Sequence, residues 1–284
     1  MKDILASSAG ILNTWWGITL FVLLDVVILV FIIALNYKWF FKRALDVLFS
    51  TVFIAVFLPF FLLFLLIDAI YNKSQNAYKS LFETETYVGK KGKTIKITVF
   101  ATERVLHGED GKLLPESERV TPLGKFIKGS GIKYYPCLFS VLIGKLSFVG
   151  PMPMTPTDAA ALDEEGDVRF AVRPGLVSSL ERYGGENLSW KDMFDEDAEY
   201  VKSISLFRDV SFFIAKIAHR LRGDAYNRYG VCKRVGYVEW LLQNGEITEE
   251  ESREFAVAAG ERAFEKDTDA ARRERERKDF ERRY

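Results

Sequence analysis

The chain has 284 residues, of which 49% are hydrophobic and 14% aromatic, and its 39 basic residues balance its 39 acidic residues at zero net charge. This length suffices for one or two domains, and a neutral chain has no global field that attracts nucleic acid. Two cysteines and two histidines are too few for a disulfide framework, and their spacing indicates no zinc site.

The first predicted element is a transmembrane helix over Trp15–Leu35, an apolar run of about the twenty residues that cross a bilayer. Aromatic residues bracket the run, as is typical at headgroup level: Trp15, Trp16, Tyr37 and Trp39. A cleaved signal peptide is the alternative, but the run is too long for one and no small-x-small site follows it. Asp25 is the only charge in the run, and we expect it to face another helix or to be neutral.

A second apolar stretch covers 44–70, with Pro59 near its middle. Proline donates no backbone hydrogen bond and presses against the carbonyl four residues earlier, so a helix kinks or breaks there. Basic residues flank the stretch on both sides: Lys38, Lys42 and Arg43 before it, and Lys73 and Lys79 after it. Because basic flanks favour the cytoplasm, a hairpin that enters and leaves by one face satisfies both clusters, and a straight crossing is the alternative. We expect a re-entrant helix over 42–72, an N-terminus outside and a cytoplasmic bulk.

The rest of the chain is predicted to form a helix-rich α+β cytoplasmic domain. A turn at 89–92 separates two β-like runs and predicts a small β-hairpin. Proline-free helical patterns follow at 158–165, 190–203 and 209–221. The last pattern is amphipathic, and it fits either a core helix or a helix on the membrane interface. One face of this helix is predicted to carry Val210, Phe213, Ile214, Ile217 and Leu221.

Six motifs follow one another between residues 42 and 223. K-R-A-L-D covers 42–46, E-T-Y-V-G-K-K-G-K covers 85–93, and E-R-V-T-P-L-G-K-F-I-K covers 118–128. P-C-L-F-S-V-L-I-G-K-L-S-F-V-G-P-M-P covers 136–153, R-P-G-L covers 173–176, and D-A-E-Y-V-K-S-I-S-L-F-R-D covers 197–209. In this order they resemble the bacterial sugar transferases, phosphoglycosyl transferases of the monotopic type. These enzymes move a sugar-1-phosphate from a nucleotide sugar to polyprenyl phosphate.

The resemblance divides the chain into three parts. Residues 1–41 are the predicted transmembrane anchor, and 42–223 the sugar-transferase-like domain, with the re-entrant helix at 42–72 and a cytoplasmic part at 73–223. Residues 224–284 are the predicted helical hairpin and charged tail. The opening membrane hairpin of the family is matched by Lys42, Arg43, Asp46 and Pro59.

The family's catalytic pair is replaced in this chain. The resemblance implies an Asp-Glu dyad at the positions of Lys133 and Tyr134, where the aspartate attacks the β-phosphorus and magnesium neutralises the diphosphate. A protonated lysine has no free lone pair, and a neutral tyrosine is a poor magnesium ligand. We therefore expect both residues to be inert, with no metal site and no cofactor, and Mg²⁺ only if the chain is active.

Other family positions are partly kept. Arginines of the family are replaced by Tyr87, Ala101 and Met152. Five residues remain at matching positions as candidates for anion or substrate binding: Arg119, Lys128, Arg173, Asp197 and Tyr200.

The resemblance ends after residue 223. Residues 238–255 read as helix, turn at 244–245 and helix, and weakly resemble an oligomerisation hairpin. Residues 258–284 mix charges of both signs, which is typical of a solvated helix or disorder rather than of a nucleic-acid-binding arm. We expect a protein partner or a homo-oligomer through 238–284, and no nucleic acid.

Three functional hypotheses remain. The favoured one is an inactive family member in a bacterial inner membrane, which binds a protein or lipid partner, such as polyprenyl phosphate, in exopolysaccharide or glycan biosynthesis. The second is an active transferase from a UDP-sugar to polyprenyl phosphate that uses Lys133, Glu103 or Glu118. The third is a membrane scaffold unrelated to glycans. The first is favoured because charge at a reacting centre cannot be replaced by shape alone.

Overall fold

The computed structural model describes residues 14–74, 81–104, 114, 116–183, 188–222 and 235–261. The longer helices are α1 Trp15–Leu35, α2 Lys42–Ser74, α4 Pro122–Ser130, α8 Trp190–Lys202, α9 Leu206–Leu221 and a helix over 249–261. The shorter ones are α3 Glu116–Arg119, α5 Cys137–Leu142, α6 Pro156–Ala160, α7 Glu164–Asp167 and α10 Tyr237–Gln243. The strands are β1 Phe82–Val88, β2 Thr94–Phe100, β3 Ser147–Val149 and β4 Gly175–Val177. Four 3₁₀ turns and a π-helical turn, Tyr37–Phe41, complete the elements of the described part. This confirms a helix-rich α+β fold.

Two of the described helices are long and apolar enough to cross a membrane: α1 and the part of α2 over Lys42–Ile70. Thr14 caps α1 by accepting a hydrogen bond from the backbone of Gly17 at 3.3 Å. Asp25 is exposed at the middle of α1, so the described part of the chain supplies no helix that covers it. The basic residue Lys79, the side chains of Trp39 and Lys73, and the tail beyond 261 lie outside what the structure describes.

Helix α2 packs lengthwise against the globular part of the chain. Near its start, Arg43 donates hydrogen bonds to two carbonyls at the end of α5. Much further along, the ring of Phe61 lies 4.6 Å from that of Tyr135, and the ring of Phe64 lies 5.2 Å from that of Phe100. The opposite side of α2 is apolar and exposed. The helix continues through Pro59, where the sequence predicts a kink or a break, because a long helix can lose one backbone donor without ending.

The predicted β-hairpin is confirmed. β1 and β2 pair antiparallel from Phe82 opposite Phe100 to Val88 opposite Thr94. The turn between them needs left-handed backbone at Lys91 and Gly92, with φ of 61° and 67°. One face of β2 packs Ile97 and Val99 against α5 and Leu146, which forms one of the core clusters.

The parallel pair β3–β4 joins two of the sequence motifs. Ser147 pairs with Gly175 and Val149 pairs with Val177. A Cβ on Gly175 would overlap the backbone nitrogen of Gly150, so the close approach of these strands requires glycine. Gly150-Pro151 of one motif and Pro174-Gly175 of the other therefore form one structural unit.

The helices after β3 differ in detail from the predicted ones. The pattern over 158–165 forms two short helices, α6 and α7, because Thr155 and Asp163 each cap a separate start. Helix α8 matches its prediction and begins with a capping box between Ser189 and Asp192. Helix α9 begins at Leu206, three residues earlier than predicted.

The C-terminal hairpin packs on its own chain. The backbone nitrogen of Val238 donates to Asp158 Oδ1 at 3.0 Å, and the ring of Tyr237 lies 5.3 Å from Trp190. After the turn at Gly245, Thr248 and Glu251 form reciprocal capping bonds that start the 249–261 helix. The predicted helix–turn–helix is thus present, docked against α6 and α8.

Candidate functional site

Asp209 is the centre of a buried polar cluster that joins α2 to α9. Its carboxylate pairs with Lys42 and accepts hydrogen bonds from the hydroxyls of Tyr37 at 2.6 Å and Tyr200 at 2.8 Å. Burial, reinforced by the negative charge of Asp209, raises the pKa of Tyr200 far above the ordinary tyrosine value. Lys42 and Tyr200, both proposed from the sequence, therefore lie together and hold helices in place. The sequence analysis missed Asp209, although it ends the motif over 197–209.

A second polar cluster joins α2 to the segment between α5 and β3. Asp46 accepts hydrogen bonds from the hydroxyl of Ser147 at 2.8 Å and the backbone nitrogen of Phe148 at 3.0 Å. Arg43 donates to the carbonyls of Val141 and Leu142, and Arg173 donates to the carbonyl of Gly144 at 2.7 Å. Asp46, Arg43 and Arg173 therefore each form at least one hydrogen bond with the backbone near Gly144, whose φ is 85°.

The dyad position holds an ion pair. Lys133 is positioned by a 3₁₀ turn, Ile132–Tyr134, and its Nζ lies 2.8 Å from Glu85 Oε1 and 3.2 Å from Glu83 Oε1. Glu83 and Glu85 are two residues apart on β1, so their side chains share one face of the strand. The other carboxylate oxygen of Glu85 accepts a hydrogen bond from Tyr87 at 2.8 Å.

The electrostatics of this cluster hold Lys133 in its charged form. Burial opposes the charge of Lys133, but the hydrogen bond and negative charge of Glu85 raise its pKa above the ordinary lysine value. Burial, with the nearby charge of Glu85, raises the pKa of the Cys137 thiol to about 12. At neutral pH the site thus presents an ammonium, a neutral phenol at Tyr87 and a protonated thiol, and none of the three is a ready nucleophile.

Several departures from the family pattern meet at this one place. By the motif resemblance, Lys133 stands at a dyad position and Tyr87 at an arginine position of the family, and both contact Glu85. The Tyr134 ring centroid lies 5.8 Å from Lys133 Nζ, within reach of a cation–π contact. Tyr87, Lys133 and Tyr134 therefore belong to one connected network around Glu85.

Arg119 and Lys128 lie together through an acid. Glu103 binds Arg119 Nη1 with one carboxylate oxygen and Lys128 Nζ with the other, each at 2.8 Å. Arg119 also donates to the carbonyl of Leu114 at 2.7 Å. Much of the positive charge proposed for anion binding is thereby compensated within the chain. Glu118 lies exposed on α3.

Asp197 is buried in a pair with Arg169, which the sequence analysis did not single out. The ion pair measures 2.7 Å, with side-chain exposures of 0% and 2%. Burial raises the pKa of Asp197 to about 6, although the charge of Arg169 opposes this shift. Arg169 also donates to the carbonyl of Met152 at 2.7 Å. Asp197 is thus part of the protein interior, and no motif in the sequence pointed to its partner.

A cavity of about 210 Å³ lies beside the ion-pair cluster. Tyr87 and Met152, which replace two family arginines, both line it, and the start of the C-terminal hairpin forms one wall. The remaining lining includes Trp190 and Met193, with Arg169 committed to Asp197. The cavity walls have therefore lost two of the cationic side chains that would favour a diphosphate there.

The described residues do not fit the magnesium of the family. Among them there is no group of three or more Asp, Glu, His or Cys side chains that could hold a metal ion. The two acids nearest the dyad position, Glu83 and Glu85, are bridged by Lys133. An ammonium between two carboxylates excludes a second cation by charge and by space.

Comparison with known proteins identifies the family. The family model for bacterial sugar transferases matches residues 37–223. The chain is 32% identical over 130 residues to the uncharacterized sugar transferase EpsL of Bacillus subtilis, covering 46% of this chain and 64% of that protein. It is 30% identical over 115 residues to the undecaprenyl-phosphate galactose phosphotransferase of Salmonella typhimurium, covering 40% and 24%. It is 26% identical over 148 residues to the exopolysaccharide production protein ExoY of Sinorhizobium fredii, covering 46% and 66%.

The match therefore spans less than two thirds of the length of each of these relatives. The resemblance noted in the motifs is confirmed, and the apolar helices together with a family of membrane sugar transferases indicate membrane association. The chain belongs to the bacterial sugar transferase family.

Proposed function

We propose that this family member has lost sugar-1-phosphate transfer and acts as a binding partner or regulator in exopolysaccharide or glycan biosynthesis. The observation that carries the proposal is the ion pair of Lys133 with Glu85, at 2.8 Å, in the place of the catalytic dyad. A protonated amine has no lone pair with which to attack phosphorus. The chain keeps the architecture of the family while its reacting groups are neutralised.

An active transferase with altered residues is the alternative. It would need another nucleophile, and the acids Glu85 and Glu103 each bind a lysine through a carboxylate oxygen. A lysine route would need Lys133 to lose its proton, which the charge of Glu85 opposes. Glu118 lies exposed on α3. No described feature favours this alternative.

The membrane arrangement that we propose has α1 crossing the bilayer and α2 entering and leaving by the cytoplasmic face, with the N-terminus outside. Arg43 and Phe64 both contact the globular part, yet they lie roughly 30 Å apart along a straight helix at about 1.5 Å per residue. A straight crossing would separate these contacts by the thickness of the hydrocarbon core, about 30 Å. Packing of both regions on one body supports a helix that stays on one side.

Helix α9 supports the same orientation. Five of its apolar side chains follow the helical repeat and are between 46% and 83% exposed: Phe207, Val210, Ile214, Ile217 and Leu221. The sequence left open whether this helix belongs to the core or to the membrane interface. An exposed apolar stripe of this length fits the interface of the inner membrane.

Two kinds of partner follow from this proposal. The name of the Salmonella relative specifies undecaprenyl phosphate, which supports a polyprenyl phosphate as the lipid partner. A protein partner or a second copy would bind through 238–284. Tyr237 and Val238 are already used within the chain, whereas Val257 on the last described helix is 59% exposed.

A turnover assay tests the proposal. Purified full-length protein in detergent is mixed with UDP-sugars, undecaprenyl phosphate and Mg²⁺, and UMP release is measured beside the Salmonella relative as positive control. We expect UMP release at the background of a protein-free sample. Sustained turnover that Lys133→Ala abolishes would establish the altered-chemistry transferase instead.

Cysteine labelling tests the topology. In a cysteine-free background, Ser8→Cys should react with a membrane-impermeant maleimide added outside intact cells, and Ser74→Cys should react only after the cells are opened. Labelling of Ser74→Cys from outside would mean that α2 crosses the membrane.

A further inference from the structure

We propose that the Lys133 ammonium is a resident cation that takes the place of a divalent metal between Glu83 and Glu85, so that the site is independent of magnesium. The inference rests on the proposed function and deepens it. Lys133 Nζ lies 2.8 Å from Glu85 and 3.2 Å from Glu83. One charged atom thus contacts two carboxylates, as a divalent cation at this position would.

The charge balance of the cluster explains why a cation is needed. Glu83 and Glu85 project from the same face of β1, and without a counter-charge their carboxylates would repel each other. The Lys133 side chain is 14% exposed and the Glu85 side chain is 24% exposed, so solvent screens the pair only partly. A cation tethered to the chain is always present, whereas a metal ion must be captured from solution.

The surroundings of Lys133 complete its role as counter-ion. Tyr87 donates to the second oxygen of Glu85, and the Tyr134 ring lies 5.8 Å from the ammonium. Magnesium prefers six oxygen ligands at about 2.0–2.1 Å, including waters, and two carboxylates bridged by an amine cannot offer that shell. The same two carboxylates become metal ligands only when the ammonium is removed.

The experiment reverses the substitution. Lys133→Asp would put a third carboxylate beside Glu83 and Glu85, and hard oxygen donors favour Mg²⁺ and Mn²⁺. Mn²⁺ alone is the probe, with free Mn²⁺ measured by electron paramagnetic resonance over purified full-length protein in detergent. The matched control is Lys145→Asp, which makes the same charge change. Among the described residues Lys145 bonds the backbone carbonyl of Lys96 and pairs with no carboxylate.

We expect Lys133→Asp to bind Mn²⁺ at least about tenfold more tightly than either wild type or Lys145→Asp. Equal binding by the two aspartate variants would overturn the proposal. So would one Mn²⁺ bound per wild-type chain and lost in Glu85→Gln, because the site would then hold metal beside Lys133.

A second variant keeps the proposal testable if Lys133→Asp fails to fold. Lys133→Met keeps the volume of the side chain and leaves the two carboxylates without their cation. We expect about 10 mM Mg²⁺ to raise the melting temperature of Lys133→Met and to leave wild type unchanged, since only a folded site binds the ion. A wild-type shift as large as that of the variant would contradict the proposal.

Neither readout depends on turnover. UMP release by wild type would contradict the proposed loss of catalysis but would not affect the Mn²⁺ comparison. Mn²⁺ binding at the wild-type site would contradict the role of Lys133 as resident cation, even if UMP release stays at background.

Discussion

Lys133 and Glu85, 48 positions apart in the chain, form an ion pair of 2.8 Å in the place where the family carries its catalytic carboxylates. The pair links the 3₁₀ turn before α5 to the first strand of the β-hairpin. The pair joins two elements that are distant in the chain, and we expect it to contribute to the stability of the domain.

The ion pair should contribute measurably to stability. Lys133→Met leaves Glu85 with one hydrogen-bond donor fewer, and because the pair is only partly exposed we expect a loss of about 1–2 kcal/mol in unfolding free energy. A double-mutant cycle with Glu85→Gln should give a coupling of similar size. Thermal unfolding in detergent measures it, and Lys145→Met is the matched control. Additive effects of the two changes would show that the contact does not stabilise the fold.

The stability of the protein should be more sensitive to substitution of Asp209 than to substitution of an exposed acid. Asp209→Asn removes the counter-charge of the partly buried Lys42 and one acceptor from the hydroxyls of Tyr37 and Tyr200. We expect a loss of about 2–4 kcal/mol, since an uncompensated buried charge is costly. Limited proteolysis and thermal melting measure it, with exposed Asp195→Asn as control. Equal melting temperatures for the two variants would contradict the anchoring role.

The buried Asp197 should make stability depend on pH. Its folded pKa of about 6 lies above the unfolded value of about 3.9, so the folded state binds the extra proton between these values. The contribution of this group therefore favours folding at pH below about 4 and is lost as the pH rises to about 6. The melting temperature of wild type, relative to Asp197→Asn, should fall as the pH is raised from about 4 to about 7. Parallel melting curves over this range would assign the pH dependence to other groups.

The apolar stripe of α9 should be shielded by lipid. Ile214 is 59% exposed in the protein alone, and Asp195 is exposed on α8. In membrane vesicles with the cytoplasmic face outward and a cysteine-free background, we expect Asp195→Cys to react with an impermeant maleimide and Ile214→Cys to be protected. Detergent should abolish the difference. Equal labelling in vesicles would place the stripe in water or against protein.

Local sequence patterns predicted the secondary-structure elements well where turn and capping residues determine them. The glycine turn between two alternating runs predicted the β-hairpin, and the capping box at Ser189 marks the start of α8. The break of 158–165 into two helices was missed, because the capping by Asp163 competes with the helical pattern. The predicted apolar face of α9 included Phe213, which packs on the cluster around Val149 and Val177, whereas Ile214 on the same predicted face is exposed.

The motifs predict the family's dyad position at Lys133 and Tyr134, and both residues lie within the range that the family model matches. The contacts of these residues could not be predicted from the sequence. Which acids would meet Lys133 depends on how the hairpin packs against the turn before α5, and spacing along the chain carries no such information. Arg119 and Lys128 looked available for anions for the same reason, while Glu103 binds both. Long-range ion pairs follow from packing, which local pattern does not encode.

The lengthwise packing of α2 has a mechanical consequence. A domain attached by a flexible linker can change its tilt and its distance from the bilayer. Helix α2 contacts the globular part near Arg43 and again at Phe64, so these contacts restrict both motions. The height of the Lys133 cluster above the lipid is then set by side-chain packing and not by linker length. Any lipid-borne ligand would meet this protein at a fixed depth and angle, and a partner enzyme would have to offer its own surface at that same level.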